Sequence, residues 1–332
     1  TTHQIGLADF MAGTYRFTRD GATGSVVNEG QLTASLGGYV ALLAPEVRNQ
    51  GVVIAQAGTA ALAAGEAFTL SIPGANTLAH IQVDPASIKT LVDNGNAVLA
   101  PDGVVLLSAR AADQLQGGVI RHGGRLEATS LTSKGGVIRL EGDAIALASG
   151  SSIDASGATG GGQVLVGGGW QGSGGMRQAR EVAMAQGAAI DASATQRGDG
   201  GTVVLWSDVH HAGSTTTAQG RVRAQGGAQG GNGGQVETSG HRVDIDGFEV
   251  NTLAPQGQAG QWLIDPYDYT IGSAQAATIS TALNTSDVTV TTTNNVSSHG
   301  SNGDNGSHGD ITLSSAINKT GAAETTLTLQ AA

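Results

Sequence analysis

Asp154 and Asp191 stand in matching Ile-Asp-Ala-Ser segments, GSSIDASG from Gly150 and GAAIDASA from Gly187. Clustered carboxylates on one face can serve acid/base work on glycosidic bonds or hold Ca²⁺. Neither use is complete here, because no His or Arg recurs beside these aspartates to make an acid/base pair. The carboxylate returns with its repeat, two residues ahead of a serine, which suits a side chain that closes a corner. Arg197-Gly198-Asp199 falls at a glycine-rich corner before Thr202. The tripeptide resembles an integrin-recognition motif, and it equally arises by chance in a chain rich in Gly and Asp. His210 and His211 are adjacent, and neighbours on a strand point to opposite faces, which suits chelation poorly. His299 and His308 share a polar loop with Asp304 and Asp310, where a solvated loop is the default over a loose metal site. Gly167-Gly168-Gly169 is not a phosphate loop, since no Lys-Ser/Thr follows. No catalytic residue, metal site or cofactor is therefore assigned. The candidate recognition residues are Arg197, Gly198 and Asp199, with Trp206 and Tyr39. Both aromatics fall on the outward phase of their segments. There they could stack on a sugar ring or a neighbouring filament, or be covered by an added element. Trp262, in GQWLIDPYDY, takes an inward or boundary position.

A short recurring motif must position these groups. GGQVLVGG at 161–168 has relatives in GGYVALLA from Gly37, DGVVLLSA from Asp102, GGVIRLEG from Gly135, GGTVVLWS from Gly200 and GGQVETSG from Gly233. Strands alternate their side chains between two faces, so Val40 and Leu42, Ile138 and Leu140, Val164 and Val166, and Val203 and Leu205 share one face. A second alternating motif is interleaved: GQLTAS, GVVIAQ, GGRLEATS, GSSIDASG, GAAIDASA and GRVRAQGG. A weaker third precedes it: PEVRNQG, GDAIALASG, REVAMAQG, HRVDIDG. The unit is thus two or three short strands closed by glycine corners. Successive glycine pairs lie 26 (135 to 161), 39 (161 to 200) and 33 (200 to 233) residues apart, and such loose spacing suits a solenoid whose corners accept insertions. Each strand would lie parallel on its equivalent in the next coil, about 4.8 Å away. The expected fold is all-β, a right-handed parallel β-helix with small extra-helical insertions. An antiparallel sandwich should instead show Asn-Gly hairpins between strands, and Asn94-Gly95 and Asn305-Gly306 lie outside the regular repeats. Coils of about 22–26 residues would give about 11–13 rungs and a rod of roughly 55–60 Å at this spacing.

Composition agrees with a thin core. Glycine supplies 53 of 332 residues, against an average near ~7%. With 6 prolines and no Gly-X-Y period, collagen is excluded. Charged residues are only 13% and β-branched residues abound, which argues against disorder. The formal net charge is −11 with no basic run, so nucleic acid and anionic membrane surfaces are disfavoured as partners. No segment approaches the ~18 apolar residues of a membrane span. Cysteine is absent, which removes disulfides and Cys-ligated metals. There is no initiator Met or signal peptide at Thr1, and TTLTLQAA stops in mid-pattern, so both ends read as cuts through a longer chain.

Residues 1–70 are expected to form the first coils and 97–270 the central repeats. Between them, 71–96 reads as an extra-helical excursion. Within it DPASIKTLVDNG carries a helix signature, with Asp84 as N-cap, Pro85 in the first turn, apolar Ile88, Leu91 and Val92, and Gly95 as a stop. Residues 271–332 read as a loop-rich continuation with a second short helix in AQAATISTALNTSD and a polar loop at 291–310.

Two stretches, DFMAGTYRFTRDGATGSVVNEGQLTASLGGYVALLAPEVRNQGVVIAQ and AGQWLIDPYDYTI, resemble the filamentous-haemagglutinin-like exoproteins of two-partner secretion systems. The resemblance spans about residues 7–332. It implies a secreted or cell-surface right-handed parallel β-helix, exported through an outer-membrane β-barrel transporter as partner. The Asn-Pro-Asn motif usual in the secretion domain is missing, which places Thr1 after it, late in that domain, and residues 1–70 at the end of that domain. Members include adhesins, biofilm-matrix proteins, haem-acquisition proteins, haemolysins and toxins. The function expected is a rod-like adhesin stalk with multivalent side faces, whose further partners are exopolysaccharide or other copies of itself. A haem- or host-protein-binding exoprotein and a β-helical polysaccharide-active enzyme are the rival readings. Nothing in the pattern assembles an enzyme's groove of three or more charged residues.

Overall fold

The computed structural model describes residues 1–73, 77–112, 117–292 and 309–332. Three parallel sheets run the length of the molecule. The first has eight strands, from Ser25–Asn28 to Arg242–Asp244. The second has eight, from Gln31–Thr33 to Glu249–Asn251. The third has ten, from Tyr39–Leu43 to Leu327–Gln330. Each of the first eight coils contributes one strand to each sheet in turn, as in Ala144–Leu147, Ser152–Asp154 and Gln163–Val166, and the third sheet runs on for two more strands. The weak third motif forms the first sheet, the interleaved motif the second, and the glycine-pair motif the third. The chain is a parallel β-helix.

Inward residues stack as the alternation requires. One unbroken column runs Val40, Ala60, Val105, Ile138, Val164, Val203, Val236, Trp262, Val288, Leu327 through the third sheet. Trp262 lies on the inside, wholly buried, with its Nε1–H donated to Thr238 Oγ1 at 2.6 Å. The core is one continuous apolar cluster a side chain or two deep.

Near the N-terminus the first sheet's column is polar. Asn28 Nδ2 donates to Asn49 Oδ1, and Asn49 Nδ2 donates to Asn94 Oδ1, both at 2.8 Å. Asn94 Nδ2 donates to His122 Nδ1 at 3.1 Å, so the imidazole's Nε2–H faces the Ser152 carbonyl at 3.2 Å. Burial pushes the His122 pKa down to about 4, which keeps the ring neutral. Leu147, Met184 and Ala218 continue this column as apolar residues.

The glycine pairs answer a need for space. Gly161, Gly162, Gly200 and Gly201 do not use positive φ. Neighbouring corners press backbone on backbone: a Cβ on Gly161 would stand 1.7 Å from the Ala192 carbonyl oxygen, and one on Gly162 2.2 Å from that of Gly136. At these pairs it is the close approach of the adjacent coil, and not a left-handed backbone, that requires glycine.

Three expectations need correction. The helix at 84–95 does not form; Thr90–Asn94 is a strand of the first sheet, with Thr90, Val92 and Asn94 buried. Its neighbours in the stack offer backbone partners on both sides, and these outweigh the local helix pattern. The excursion also starts earlier. Ala67–Ser71, His80–Asp84 and the N-terminal Tyr15–Thr18 make a three-stranded antiparallel sheet. It lies on the third sheet's outer face, packing Phe68, Leu70 and Val83 against Leu43, Ala61 and Ala63. Lastly, the third sheet has ten rungs, so the stack is about 43 Å long at the ~4.8 Å spacing; the excursions absorb the remaining residues. The second expected helix is present as Ser273–Ala282, and it buries Ala276, Ile279 and Ala282 in the main core. The bulk of the 291–310 loop, with His299 and His308, lies outside the described residues.

Candidate functional site: the outer face of the third sheet

The aspartates of the second sheet close corners. Asp154 Oδ1 accepts the Ser156 N–H and Asp191 Oδ1 accepts the Ser193 N–H, both at 2.9 Å. The same turn recurs at Asp244 and Asn251. Arg197-Gly198-Asp199 is a rung of the corner stack. Gly198, at φ +108°, donates its N–H to Gly230 O at 2.7 Å, and its own carbonyl accepts from Gly227 at 2.9 Å. Asp199 Oδ1 accepts the Asn232 N–H at 2.7 Å. Arg197 and Asp199 are exposed, yet the backbone is clamped on both sides and the carboxylate already holds the next coil. His210 and His211 lie in a turn after the strand Thr202–Trp206; His210 donates its N–H to Asp208 Oδ1, and His211 Nε2 meets the Arg180 guanidinium. Among the described residues no three His, Asp or Glu side chains converge on a metal position.

Trp206 does point outward, but it is only 2% exposed, so it offers no open stacking platform. The segment 167–178 folds over it, packing Trp170 and Met176 against Leu165, Val204 and Trp206, with Tyr267 closing the side. Tyr39 is half-buried against the antiparallel sheet. Both aromatics lie under added elements for one reason: bare aliphatic side chains on a sheet's outer face favour a cover.

The 167–178 segment is a strained loop. Gly167, Gln171, Gly172, Gly174 and Gly175 all have positive φ, and Gln171 is the one with a side chain to oppose it. A Cβ on Gly168 would stand 2.5 Å from the Trp206 ring. Two ties hold the loop. Arg177 donates from Nε and Nη2 to Asp143 Oδ1 at 2.9 and 2.6 Å. The Gln171 N–H donates to Glu237 Oε2 at 2.8 Å. Glu237 is wholly buried and also accepts from Ser239 Oγ at 2.9 Å. Burial, with the neighbouring Asp265 charge, pushes its pKa up to about 8.

Sequence reasoning missed Glu237. A signal was present: GGQVETSG places an acid directly after Leu165 and Val204 in an outward column whose one other charged member is Arg139.

Two grooves flank the loop. One, of about 330 Å³, runs between the antiparallel sheet and the loop, floored by Leu106, Ser108 and Arg139. The other, of about 460 Å³, opens on the loop's C-terminal side, with Trp170 as its wall and Gln235, Gln261, Asp265, Thr289 and Gln330 around it.

No family model and no curated protein matches the chain. Among solved structures it is similar to the HMW1 secretion domain from Haemophilus influenzae, at 26% identity and a TM-score of 0.57, over 80% of this chain and 73% of that one. This likeness supports a chain of the two-partner-secretion exoprotein kind, built as a parallel β-helix.

Proposed function

We propose that the chain is a section of a large secreted, rod-like adhesin. It is exported through an outer-membrane β-barrel transporter and serves attachment, aggregation or biofilm-matrix cohesion at the cell surface. The observation that carries this reading is the unbroken column from Val40 to Leu327, which gives a stiff rod with long side faces. The likeness to a secretion domain supports the export route. A chain without cysteine cannot be locked by disulfides before export, and coils that stack each on the last can fold progressively as they emerge. Repeated side faces suit weak contacts that gain strength by number.

The test is export with the cognate transporter, followed by attachment and aggregation assays. Val164→Pro places a proline inside a strand paired on both sides and stops coil stacking there. Release into the medium should fall severalfold. Unimpaired export would remove the folding-driven route. Cells displaying the parent chain that neither attach nor aggregate more than cells lacking it would remove the adhesin reading.

A further inference from the structure

The third sheet's outer face changes character along its length. Under the antiparallel sheet it presents Ala41, Ala61, Ala63 and Leu106, and under the 167–178 loop Leu165, Val204 and Trp206. One outward column is polar from the loop's strands onward, running Gln163, Thr202, Gln235, Gln261 and Asp287, and the next passes from Leu165 and Val204 under the loop through Glu237 and Leu263 to Thr289 and Thr328. The third column brings Ser239, Asp265, Thr291 and Gln330. Glu237, Ser239, Leu263 and Asp265 are buried here, Glu237 under the loop, while Gln235 and Gln330 are exposed and Gln261 and Thr289 half-buried. These four line the 460 Å³ groove, within the ~300–1,000 Å³ range of small-ligand clefts.

Its chemistry is selective. Gln235, Gln261 and Gln330 offer amides that both donate and accept, and Thr289 a hydroxyl that does both. Gln261 Nε2 donates to Thr289 Oγ1 at 3.3 Å, which fixes the two relative to each other. Trp170, half-buried against the loop's apolar contacts, supplies an aromatic wall at one end. No Lys, Arg or His lines the groove, while Asp265 is 1% exposed at its floor. An anion would find no cation and a nearby acid. An apolar segment would find Leu263 as its one aliphatic contact. A ring carrying several hydroxyls finds donors, acceptors and a stacking surface together. The rungs lie ~4.8 Å apart, close to the length of one pyranose, so equivalent amides meet successive units of a chain laid across the coils.

We propose that this groove, walled by Trp170 and floored by Gln235, Gln261, Asp265, Thr289 and Gln330, binds a neutral saccharide of two or three sugar units. The inference stands on the groove's own chemistry and not on the adhesin reading, so a chain that failed every attachment assay would still carry the site.

The test titrates the purified chain with neutral gluco-, manno- and galacto-oligosaccharides and with oligogalacturonate, read by calorimetry and intrinsic tryptophan fluorescence. At least one neutral saccharide should saturate with Kd near ~1 mM or tighter. Trp170→Ala should weaken it tenfold or more, by analogy with the loss of one aromatic stacking partner at roughly 1–3 kcal/mol. Trp170→Ala can also loosen the loop, so Gln235→Ala and Gln261→Ala carry the decision, each expected to weaken binding about three- to tenfold at an unchanged melting midpoint. Arg223→Ala, exposed on the second sheet, should bind as the parent does. The inference is overturned by no saturation with any neutral oligosaccharide up to about 10 mM, by equal affinity in all variants, or by preference for the uronate.

Discussion

Replacing Glu237 with glutamine should change how stability depends on pH, and in a direction opposite to that of an acid held ionised by a cation. The folded chain holds the Glu237 proton up to about pH 8, whereas an ordinary solvated carboxyl loses it near 4.5. Between those values the folded state binds more protons than the unfolded one. Stability therefore falls as pH rises through that window, by up to about 1.4 kcal/mol per pH unit and about 5 kcal/mol across it. His122 acts in the opposite sense. Its folded pKa of about 4 lies below the ordinary histidine value of 6.5, so its contribution is complete above 6.5 and is lost as pH falls through 4. It amounts to about 3 kcal/mol. The two slopes offset one another between about pH 4.5 and 6.5. From 6.5 to 8 Glu237 acts alone and should lower stability by about 2 kcal/mol. Glu237→Gln keeps the shape of the side chain and an oxygen for the Gln171 N–H, while Ser239 Oγ can accept from the new amide. Urea midpoints followed by circular dichroism from pH 4.5 to 8.5 measure both curves. The variant should match the parent near pH 4.5, gain progressively, and stay flat above 6.5. Parallel curves for parent and variant would refute the reasoning, because they would mean that Glu237 ionises in the folded chain as it does in the unfolded one.

Other substitutions probe the stack and the loop. Asn49→Ala removes donations to Asn94 and the Ala97 carbonyl and the acceptor for Asn28, so it should cost about 2–4 kcal/mol in chemical denaturation. Gly162→Ala sets a methyl 2.2 Å from a backbone oxygen and should prevent native stacking, seen as loss of soluble folded chain. Gly150→Ala meets nothing within 4 Å and bears only the strain of φ +81°, about 1–2 kcal/mol, read as a modest shift in the urea midpoint. Arg177→Ala releases one tie of the 167–178 loop; limited proteolysis should then cut within the loop, and the fluorescence of Trp206 should shift to the red while the β-sheet signal persists.

The rod was legible because inward positions alternate strictly, and Val40, Ile138, Val164 and Val203 could be aligned without any knowledge of the third dimension. The elements lying outside it were harder. In DPASIKTLVDNG the apolar residues Ile88, Leu91 and Val92 have helical spacing, while the period that governs is Thr90, Val92, Asn94, two of which are polar. A hydrophobic template cannot recognise a strand whose inward residues are Thr and Asn. Trp206 was read correctly as outward, but what covers it comes from 167–178, a Gly-rich stretch with no periodicity of its own. The 460 Å³ groove was not legible for a related reason. Gln235, Gln261 and Gln330 are ordinary outward residues until register lines them up beside Trp170.

The amide column Asn28, Asn49, Asn94, His122 gives the near-identical coils an index mark. A solenoid of similar turns is prone to slip by one, since an aliphatic row seats almost as well one storey up. Here a slip would set Asn94 against Leu147 and leave buried amide hydrogens facing hydrocarbon. The imidazole ends the row as a keystone, because its second nitrogen turns to the Ser152 carbonyl of the next coil, so the side chain stacked above it, Leu147, need offer no polar partner. One polar edge thus gives the opening turns a single permitted order, and every later turn inherits its count from them.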